Sequence, residues 1–374
     1  MFTLNNYIDL AIIFLNDKLL LFSVIILILS FASTFKLIPF LVKLAINNNL
    51  TVKPNCRSSH SKNIPQLGGL GIIFSTLVIT FLFGSVVLNG SEFSNLMVSM
   101  LCVLILVALG IKDDIIGLPA WVKLVTQVIS SLFFMIITNV RIDNFYGIFG
   151  IHDLPIIPSY LYSVFVFIVI INSYNLIDGI DGLAGALAIV IFSFFLSYFT
   201  ESKSLYEILF ISSLIGGLLA FLRFNFSNGK YKIFMGDVGS LTIGFLLAVM
   251  AVSVLSNGPQ SSVLFSKNIP VLILAMFALP FLDTLRVFIV RGISGLSPFL
   301  ADKNHLHHQF LKYELTHLQI TCILSLYSLF VIATAFLFKN TIVHLHLLIT
   351  MFMAVILLVV LIWFLSKFKR TNKQ

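Results

Sequence analysis

Apolar runs of about 20 residues recur along the whole chain and restrict its fold more than any other feature. Hydrophobic residues make up 59% of the 374 residues, and 38 residues are Phe. A helix of that length crosses the roughly 30 Å hydrocarbon core of a bilayer and satisfies its own backbone hydrogen bonds there. The sequence therefore predicts an all-α, polytopic integral membrane protein with about eleven transmembrane helices. These spans lie near residues 19–46, 67–88, 95–112, 119–139, 159–176, 183–200, 206–224, 238–257, 269–290, 319–338 and 343–365.

The segments between the apolar runs are short. None exceeds about 30 residues, so we expect one transmembrane domain over residues 1–374, with a basic tail at about 366–374. Residues 8–16 are also apolar, so the first span could consist of two pieces. The N-terminus lacks the basic region and the small-residue cleavage site of a secretory signal peptide, so no cleaved signal is predicted.

The basic residues predict the orientation in the membrane. With the N-terminus outside and the C-terminus in the cytoplasm, 18 of the 23 Lys and Arg residues fall on the cytoplasmic side and 5 on the other. This asymmetry accounts for the net charge of +8, and no basic–aromatic interleaving suggests a nucleic-acid partner. Cys56, Cys102 and Cys322 have no metal-ligand spacing, and no disulfide framework is expected.

Four polar clusters interrupt the apolar runs, and the predicted orientation places all of them on the cytoplasmic side. They are KDDIIGL at Lys112–Leu118, NSYNLIDGIDGLAG at Asn172–Gly185, FMGDVGS at Phe234–Ser240 and ADKNHLHHQF at Ala301–Phe310. A carboxylate at the centre of a bilayer costs roughly 2.5–3.5 kcal/mol, so acids kept near a membrane suggest a functional site. We therefore expect the clusters to assemble one site.

The acids of these clusters suggest a bound cation. Adjacent carboxylates such as Asp113 and Asp114 repel each other unless a cation is near or one of them is protonated. Asn172 and Asn175 are three residues apart and share a helix face. Oxygen ligands with few carboxylates suit Mg²⁺ or Mn²⁺.

Basic side chains surround these acids, and they are suited to binding phosphate. Acids, a hard cation and basic residues together favour phosphoryl transfer, in which catalysis is largely positioning and charge neutralisation. The basic residues are Lys53, Arg57, Lys123, Lys230, Lys232, Arg291, Lys303 and the histidines of the last cluster.

Each cluster taken alone also has a purely structural interpretation. An Asp-Asp pair at a helix end is usually a cap, a Gly-rich bend is a common helix breaker, and Lys230 and Lys232 could serve only topology. The histidines at His344–His346 are expected to pack near the opposite face. Two other classes of function stay open. A transporter would place its acids near the bilayer midplane and often shows internal repeats, and a non-catalytic scaffold would lack some of the acids.

In order and spacing, the clusters resemble the motifs of the polyprenyl-phosphate N-acetylhexosamine-1-phosphate transferases, glycosyltransferase family 4. The resemblance runs from about Val52 to Gln309 and is closest to the bacterial undecaprenyl-phosphate α-N-acetylglucosaminyl 1-phosphate transferases. It includes KPNCRSSH at Lys53–His60, IPQLGG at Ile64–Gly69, and Lys123 nine residues after Asp114. Ser173 stands where the family usually has Ala.

The resemblance implies a reaction and a compartment. Sugar-1-phosphate would pass from a UDP-N-acetylhexosamine to undecaprenyl phosphate, with release of UMP. The enzyme would lie in the bacterial cytoplasmic membrane, with its active site facing the cytoplasm and Mg²⁺ (or Mn²⁺) as cofactor. It would start a lipid-linked surface glycan such as an O-antigen, a teichoic acid or a capsule, and it could form a homodimer.

The resemblance also implies residue roles. Asp237 and Asn175 would hold the metal, and Asp113, with Asp114 beside it, would orient or deprotonate the lipid phosphate. Lys123 and Arg291 would neutralise phosphate charge, and Asp178 and Asp181 would contact nucleotide or support the site. The remaining predicted substrate-binding residues are Lys53, Asn55, Arg57, Asn172, His305, His307 and His308.

The histidine spacing distinguishes branches of this family. The chain reads HLHH at His305–His308, as in the branch that uses UDP-GlcNAc or related sugars, whereas the pentapeptide translocases carry three consecutive histidines. The resemblance therefore implies UDP-GlcNAc or a close relative as donor. Transfer of phospho-MurNAc-pentapeptide is the alternative within the family.

Overall fold

A computed structural model of the chain describes residues 18–48, 51–52, 64–259, 268–295 and 305–371. Short strands β1 (Thr51–Val52) and β2 (Ile64–Pro65) pair antiparallel, and Ile148–Gly150 forms one 3₁₀ turn. The α-helices are α1 Leu19–Asn47, α2 Gly68–Val87, α3 Gly90–Ile116, α4 Ala120–Thr138, α5 Ile156–Ile177, α6 Leu183–Ser202, α7 Leu205–Asn225, α8 Gly236–Asn257, α9 Ile269–Met276, α10 Ala278–Ile293, α11 Leu306–Leu311, α12 His317–Leu337 and α13 Val343–Thr371.

The predicted all-α multi-pass architecture is confirmed. Among the described residues, 10 helices are long and apolar enough to span a membrane, and the bent pair α9–α10 brings the number to 11. The two helices of that pair meet at 67°. Pro280 explains the break, because it has no N–H to donate to the carbonyl of Met276 and its ring crowds that carbonyl. The apolar segment predicted as a single helix at 269–290 is therefore built from two helices.

Helix α3 is longer than the sequence predicts. It begins at Gly90 because Asn89 and Glu92 form a capping box, with the Glu92 N–H donating to Asn89 Oδ1 at 2.9 Å. It continues to Ile116, so Asp113 lies inside its last turns rather than after them. The helix stops where Gly117 adopts a φ of 66°, a left-handed value that favours glycine.

Helix α8 is the central helix of the bundle. Every residue in its apolar window is buried, whereas only 17% of the window in α13 is. It packs mainly against α3 and α5, and α2 and α6 also contact it. The first turn of α8 carries Asp237, so the other helices surround this acid at one end of the bundle.

Glycines bring α2 and α3 close to the first turns of α8. A Cβ at Gly69 would lie 2.2 Å from backbone atoms of Gly239, and one at Gly110 would lie 2.6 Å from the Cα of Val238. The Gly69 N–H also donates to the Met235 carbonyl at 2.8 Å. The paired glycines of IPQLGG therefore have a packing role: they fix the start of α8 against its neighbours.

Since successive spans run in opposite directions, α3 and α5 end, and α8 begins, at the same end of the bundle. The predicted convergence of the polar clusters is confirmed for the described residues. Three predictions fall outside them: the apolar stretch at 8–16, the basic loop with Lys53, Asn55 and Arg57, and Lys303.

Candidate active site

Lys123 joins two acids from different helices at this end of the bundle. Its Nζ donates to Asp237 Oδ2 at 3.0 Å and also forms an ion pair with Asp113. The side chain of Asp113 is 3% exposed and that of Asp237 is 33% exposed. Of the two carboxylates, Asp237 is therefore the one that a ligand can reach.

The neighbouring carboxylates of α3 have separate partners. Asp113 Oδ1 accepts the N–H of Leu118 at 2.6 Å, closing the turn that follows the helix. Asp114 Oδ1 accepts the N–H of Asp237 at 3.0 Å, so Asp114 caps the positive end of α8. Asp114 Oδ2 is buried and has no hydrogen-bond partner among the residues that the structure describes.

Gly236 allows this close contact between α3 and α8. Its φ of 73° is left-handed, and a Cβ would lie 2.3 Å from the Gln66 carbonyl oxygen and 2.9 Å from Asp114 Oδ2. A larger residue would separate Asp114 from the start of α8. The glycine of FMGD is therefore required by backbone conformation and by space.

The two asparagines of α5 reach the same region. Asn172 Nδ2 donates to Gln127 Oε1 of α4 at 2.7 Å. Asn175 Oδ1 accepts from the hydroxyl of Ser240, one turn after Asp237, at 3.3 Å. The predicted metal pair, Asp237 and Asn175, therefore lies at adjoining ends of α8 and α5.

Asp181 ties three segments together. Its carboxylate accepts from Lys232 Nζ at 2.7 Å and pairs with His317 Nδ1 at 2.9 Å. Its carbonyl accepts from the Thr321 hydroxyl at 3.0 Å. Burial alone would raise the pKa of Asp181, but the bonds from His317 and Lys232 outweigh it and hold that pKa below the ordinary value.

Asp178 lies in the opposite electrostatic environment. Burial, followed by the charges of Asp237, Asp114 and Asp181, raises the pKa of Asp178 to about 7. The structure thus brings several negative charges together around Asp178. This region favours either a bound cation or a proton.

The histidine cluster packs over the loop between α5 and α6. The rings of His305 and His307 are nearly parallel, with centroids 5.8 Å apart, and His308 lies 4.3 Å from His307. A Cβ at Gly179 would lie 2.0 Å from His307 Nε2. Burial lowers the pKa of His307 to about 3, so this ring is neutral at pH 7.

Other predicted residues are placed as follows. Arg291 is buried in the last turn of α10. Lys230 lies over the ring of Tyr231 at 5.7 Å. The packing role predicted for His344–His346 is confirmed: His346 Nε2 bonds to the Ala335 carbonyl at 2.8 Å, and His344 accepts the Phe149 N–H at 3.0 Å.

Sequence reasoning missed three residues that organise the site. Asp283 of α10 holds His305, and His317 holds Asp181. Asn225 accepts the Gly182 N–H at 2.6 Å and donates to the Ile233 carbonyl at 2.8 Å, joining two loops. A signal for Asp283 was present, because it is an acid inside an apolar span.

Two observations bear on the kind of site. In the described part of the chain, no three His, Cys, Asp or Glu side chains form a group that could hold a metal ion by themselves. Asp113 and Asp237 lie in terminal turns of their helices rather than near the helix midpoints. This placement argues against the transporter alternative, which needs acids at mid-membrane depth.

Comparison with known proteins matches this chain to related enzymes. The family model described as Glycosyl transferase family 4 matches residues 96–255, which include Asp113, Asp114 and Asp237. An undecaprenyl-phosphate alpha-N-acetylglucosaminyl 1-phosphate transferase of Salmonella typhi is 29% identical over 289 residues, covering 76% of this chain and 75% of the relative. The protein of that name from Escherichia coli (strain K12) is 28% identical over 292 residues, 77% and 76% of the two chains. A probable undecaprenyl-phosphate N-acetylglucosaminyl 1-phosphate transferase of Bacillus subtilis (strain 168) is 29% identical over 334 residues, 88% and 89% of the two chains.

Proposed function

We propose that this chain transfers GlcNAc-1-phosphate from UDP-GlcNAc to undecaprenyl phosphate. The premise is that it belongs to glycosyl transferase family 4 and is a sugar-phosphate transferase. The names of the relatives support undecaprenyl phosphate as the acceptor. The observation that carries the proposal is the junction of Asp113, Lys123 and Asp237, where helices from distant parts of the chain place acids and a cation together.

The proposed reaction is a displacement at phosphorus. An oxygen of the lipid phosphate attacks the phosphorus that bears the sugar, and the bond from that phosphorus to the bridging oxygen breaks. UMP leaves with the bonding electron pair. A phosphate monoester is largely ionised near neutral pH, since its second pKa is about 6, so no general base is required.

The contacts of Asp113 favour a positioning role over proton abstraction. Its carboxylate already accepts the Leu118 N–H and pairs with Lys123. Lys123 then offers its positive charge beside the exposed carboxylate of Asp237, where phosphate oxygens would gather. Fixed charges of this kind stabilise the transition state without reorganising.

The residues around Asp237 fit a magnesium ion. Mg²⁺ usually takes one or two carboxylates and completes its octahedron with water and phosphate oxygens, so a cage of three protein acids is not needed. Asp237 and Asn175 would hold the ion, while the unpartnered Asp114 Oδ2 and the charges around Asp178 supply negative potential. The ion would neutralise charge on the diphosphate. Mn²⁺ fits the same oxygen ligands.

The orientation is also a proposal, supported by the distribution of Lys and Arg. The acidic end would face the cytoplasm of a bacterial cell membrane. In a protein without its native cysteines, Asn228→Cys at the acidic end should resist an impermeant thiol reagent in intact cells. Glu201→Cys, at the opposite end, should react. Labelling of Asn228→Cys from outside would reverse the orientation.

The activity is tested with purified protein, Mg²⁺, undecaprenyl phosphate and a panel of labelled UDP-sugars. We expect lipid-linked product and UMP with UDP-GlcNAc or a closely related 2-acetamido sugar, and none with UDP-MurNAc-pentapeptide. Efficient use of the pentapeptide donor would exclude this branch of the family. Release of UDP with a lipid monophosphate sugar would exclude the proposed reaction.

A further inference from the structure

Asp283 is a buried acid outside the four polar clusters. It belongs to α10, the second helix of the bent pair, and its side chain is only 3% exposed. A carboxylate inside an apolar span is costly unless each of its oxygens is bonded. Its partners therefore indicate why the protein keeps it.

Both oxygens of Asp283 bind the histidine segment. Oδ2 lies 2.9 Å from His305 Nδ1, and Oδ1 accepts the N–H of Leu306 at 2.9 Å. Oδ1 also accepts from Arg286 Nη2, one turn later on α10, at 3.2 Å. One carboxylate thus caps the start of α11 and orients the ring that precedes it.

The carboxylate of Asp283 fixes which nitrogen of His305 carries a proton. The side chain of His305 is 7% exposed, and its Nδ1 faces Asp283 Oδ2 at 2.9 Å. In a neutral ring, the nitrogen that faces a carboxylate carries the proton.

The ring of His305 in turn positions the rest of the histidine segment. Its ring stacks on His307 with an interplanar angle of 6°. His307 packs against Gly179, in the loop that carries Asp178 and Asp181. A shift of His305 would therefore be transmitted to the loop at the acidic end.

We propose that Asp283 is a positioning residue that holds His305 as the Nδ1–H tautomer and leaves Nε2 as a hydrogen-bond acceptor. With that tautomer, His305 accepts from a sugar hydroxyl or amide N–H of the donor and does not donate to its phosphates. This inference rests on the proposed function for its consequence in catalysis. The tautomer itself stands independently of that function.

The first test is a double-mutant cycle. Asp283→Asn keeps acceptor Oδ1 for Leu306 but turns an N–H₂ toward His305, which forces the opposite tautomer. We expect turnover to fall roughly 10- to 100-fold, the usual cost of losing a partner that orients a functional histidine. Asp283→Glu, which keeps the charge, should retain more turnover than Asp283→Asn.

The cycle is completed in a His305→Gln background. There, adding Asp283→Asn should lower turnover by less than about threefold, because the ring that Asp283 orients is gone. An equal loss in both backgrounds would overturn the proposal. Glu207→Gln is the matched control: Glu207 is another buried acid of a span, bonded to Ser204 at the opposite end, and its loss should leave turnover unchanged.

The second test needs no activity. In ¹⁵N-histidine NMR of the purified protein, the His305 signal is identified by its absence in His305→Gln. We expect a protonated Nδ1 and an unprotonated Nε2 in the native protein, and the reverse in Asp283→Asn. A native His305 that is protonated on Nε2, or on both nitrogens, would overturn the proposal. Absence of transfer from every UDP-sugar would instead overturn the proposed function and leave this result standing.

Discussion

The two ends of the helix bundle use similar residues in different ways. At the opposite end, Asn144 donates to Asp153, nine residues along the chain, in an exposed contact of 2.9 Å. At the acidic end, Lys123 donates to Asp237 across 114 residues, and the acid that shares this lysine is almost fully buried. Asp153 closes a local turn, whereas Asp237 joins distant helices. For these acids, sequence separation and burial distinguish a site from a cap.

Glu207 sharpens this comparison because it is an acid buried at the opposite end. Its carboxylate bonds to the hydroxyl of Ser204, three residues before it, at the start of α7. The bond is local and serves the helix end. Burial of an acid is thus not sufficient evidence for a site, but burial combined with long-range convergence is.

The largest effect is expected from Asp113→Asn. The amide can still accept the Leu118 N–H, but the charge that pairs with Lys123 is lost. Turnover should fall at least about a hundredfold, while nucleotide affinity measured by calorimetry changes less than threefold, because Asp113 is assigned to the lipid phosphate rather than to the nucleotide. Near-normal turnover would show that Asp113 only closes a local turn, as Asp153 does at the opposite end.

Gly179→Ala should have a smaller but clear effect. The added Cβ would fall 2.0 Å from His307 Nε2, so the histidine segment must move. We expect turnover to drop about tenfold, as when a group that orients the site is lost. Gly90→Ala is the matched control at the opposite end, where a Cβ meets nothing within 4 Å. Equal turnover in the two variants would contradict the packing of His307 on this loop.

The smallest effects concern stability and differ in sign. Because the pKa of Asp178 is raised to about 7, the folded protein keeps a proton that the unfolded chain releases near pH 4, so this acid destabilises the fold as pH rises through that window. Asp181 has a lowered pKa, so it stabilises the fold above its unfolded pKa and loses that effect only in stronger acid.

Both effects on stability can be measured by thermal unfolding in EDTA at pH 8. Asp178→Asn should raise the unfolding temperature, and Asp181→Asn should lower it, each by about 3 °C or more. The gain from Asp178→Asn should shrink as the pH is lowered toward 4. Shifts of the same sign in both variants would contradict the assigned environments.

The spans and the convergence of the clusters could be predicted because both depend on local information. Apolar length fixes a span, and the alternation of spans fixes which loops share a side. The break at Phe277 was missed, since the apolar run continues through it and only Pro280 marks it. Asp283 and His317 were missed because their partners lie 22 and 136 residues away, and tertiary packing alone brings them together.

The central claim is that the acidic end is the transferase active site, with Asp237 as the acid that meets the diphosphate. The most direct measurement is the rate of lipid-linked product formation, as Mg²⁺ is titrated, for Asp237→Asn and for the control Asp153→Asn at the opposite end. Asp237→Asn should lose at least about a hundredfold in rate, or about 2.7 kcal/mol of transition-state stabilisation, and need more Mg²⁺. Asp153→Asn should match the native protein. Near-normal turnover of Asp237→Asn at an unchanged Mg²⁺ requirement would contradict the claim.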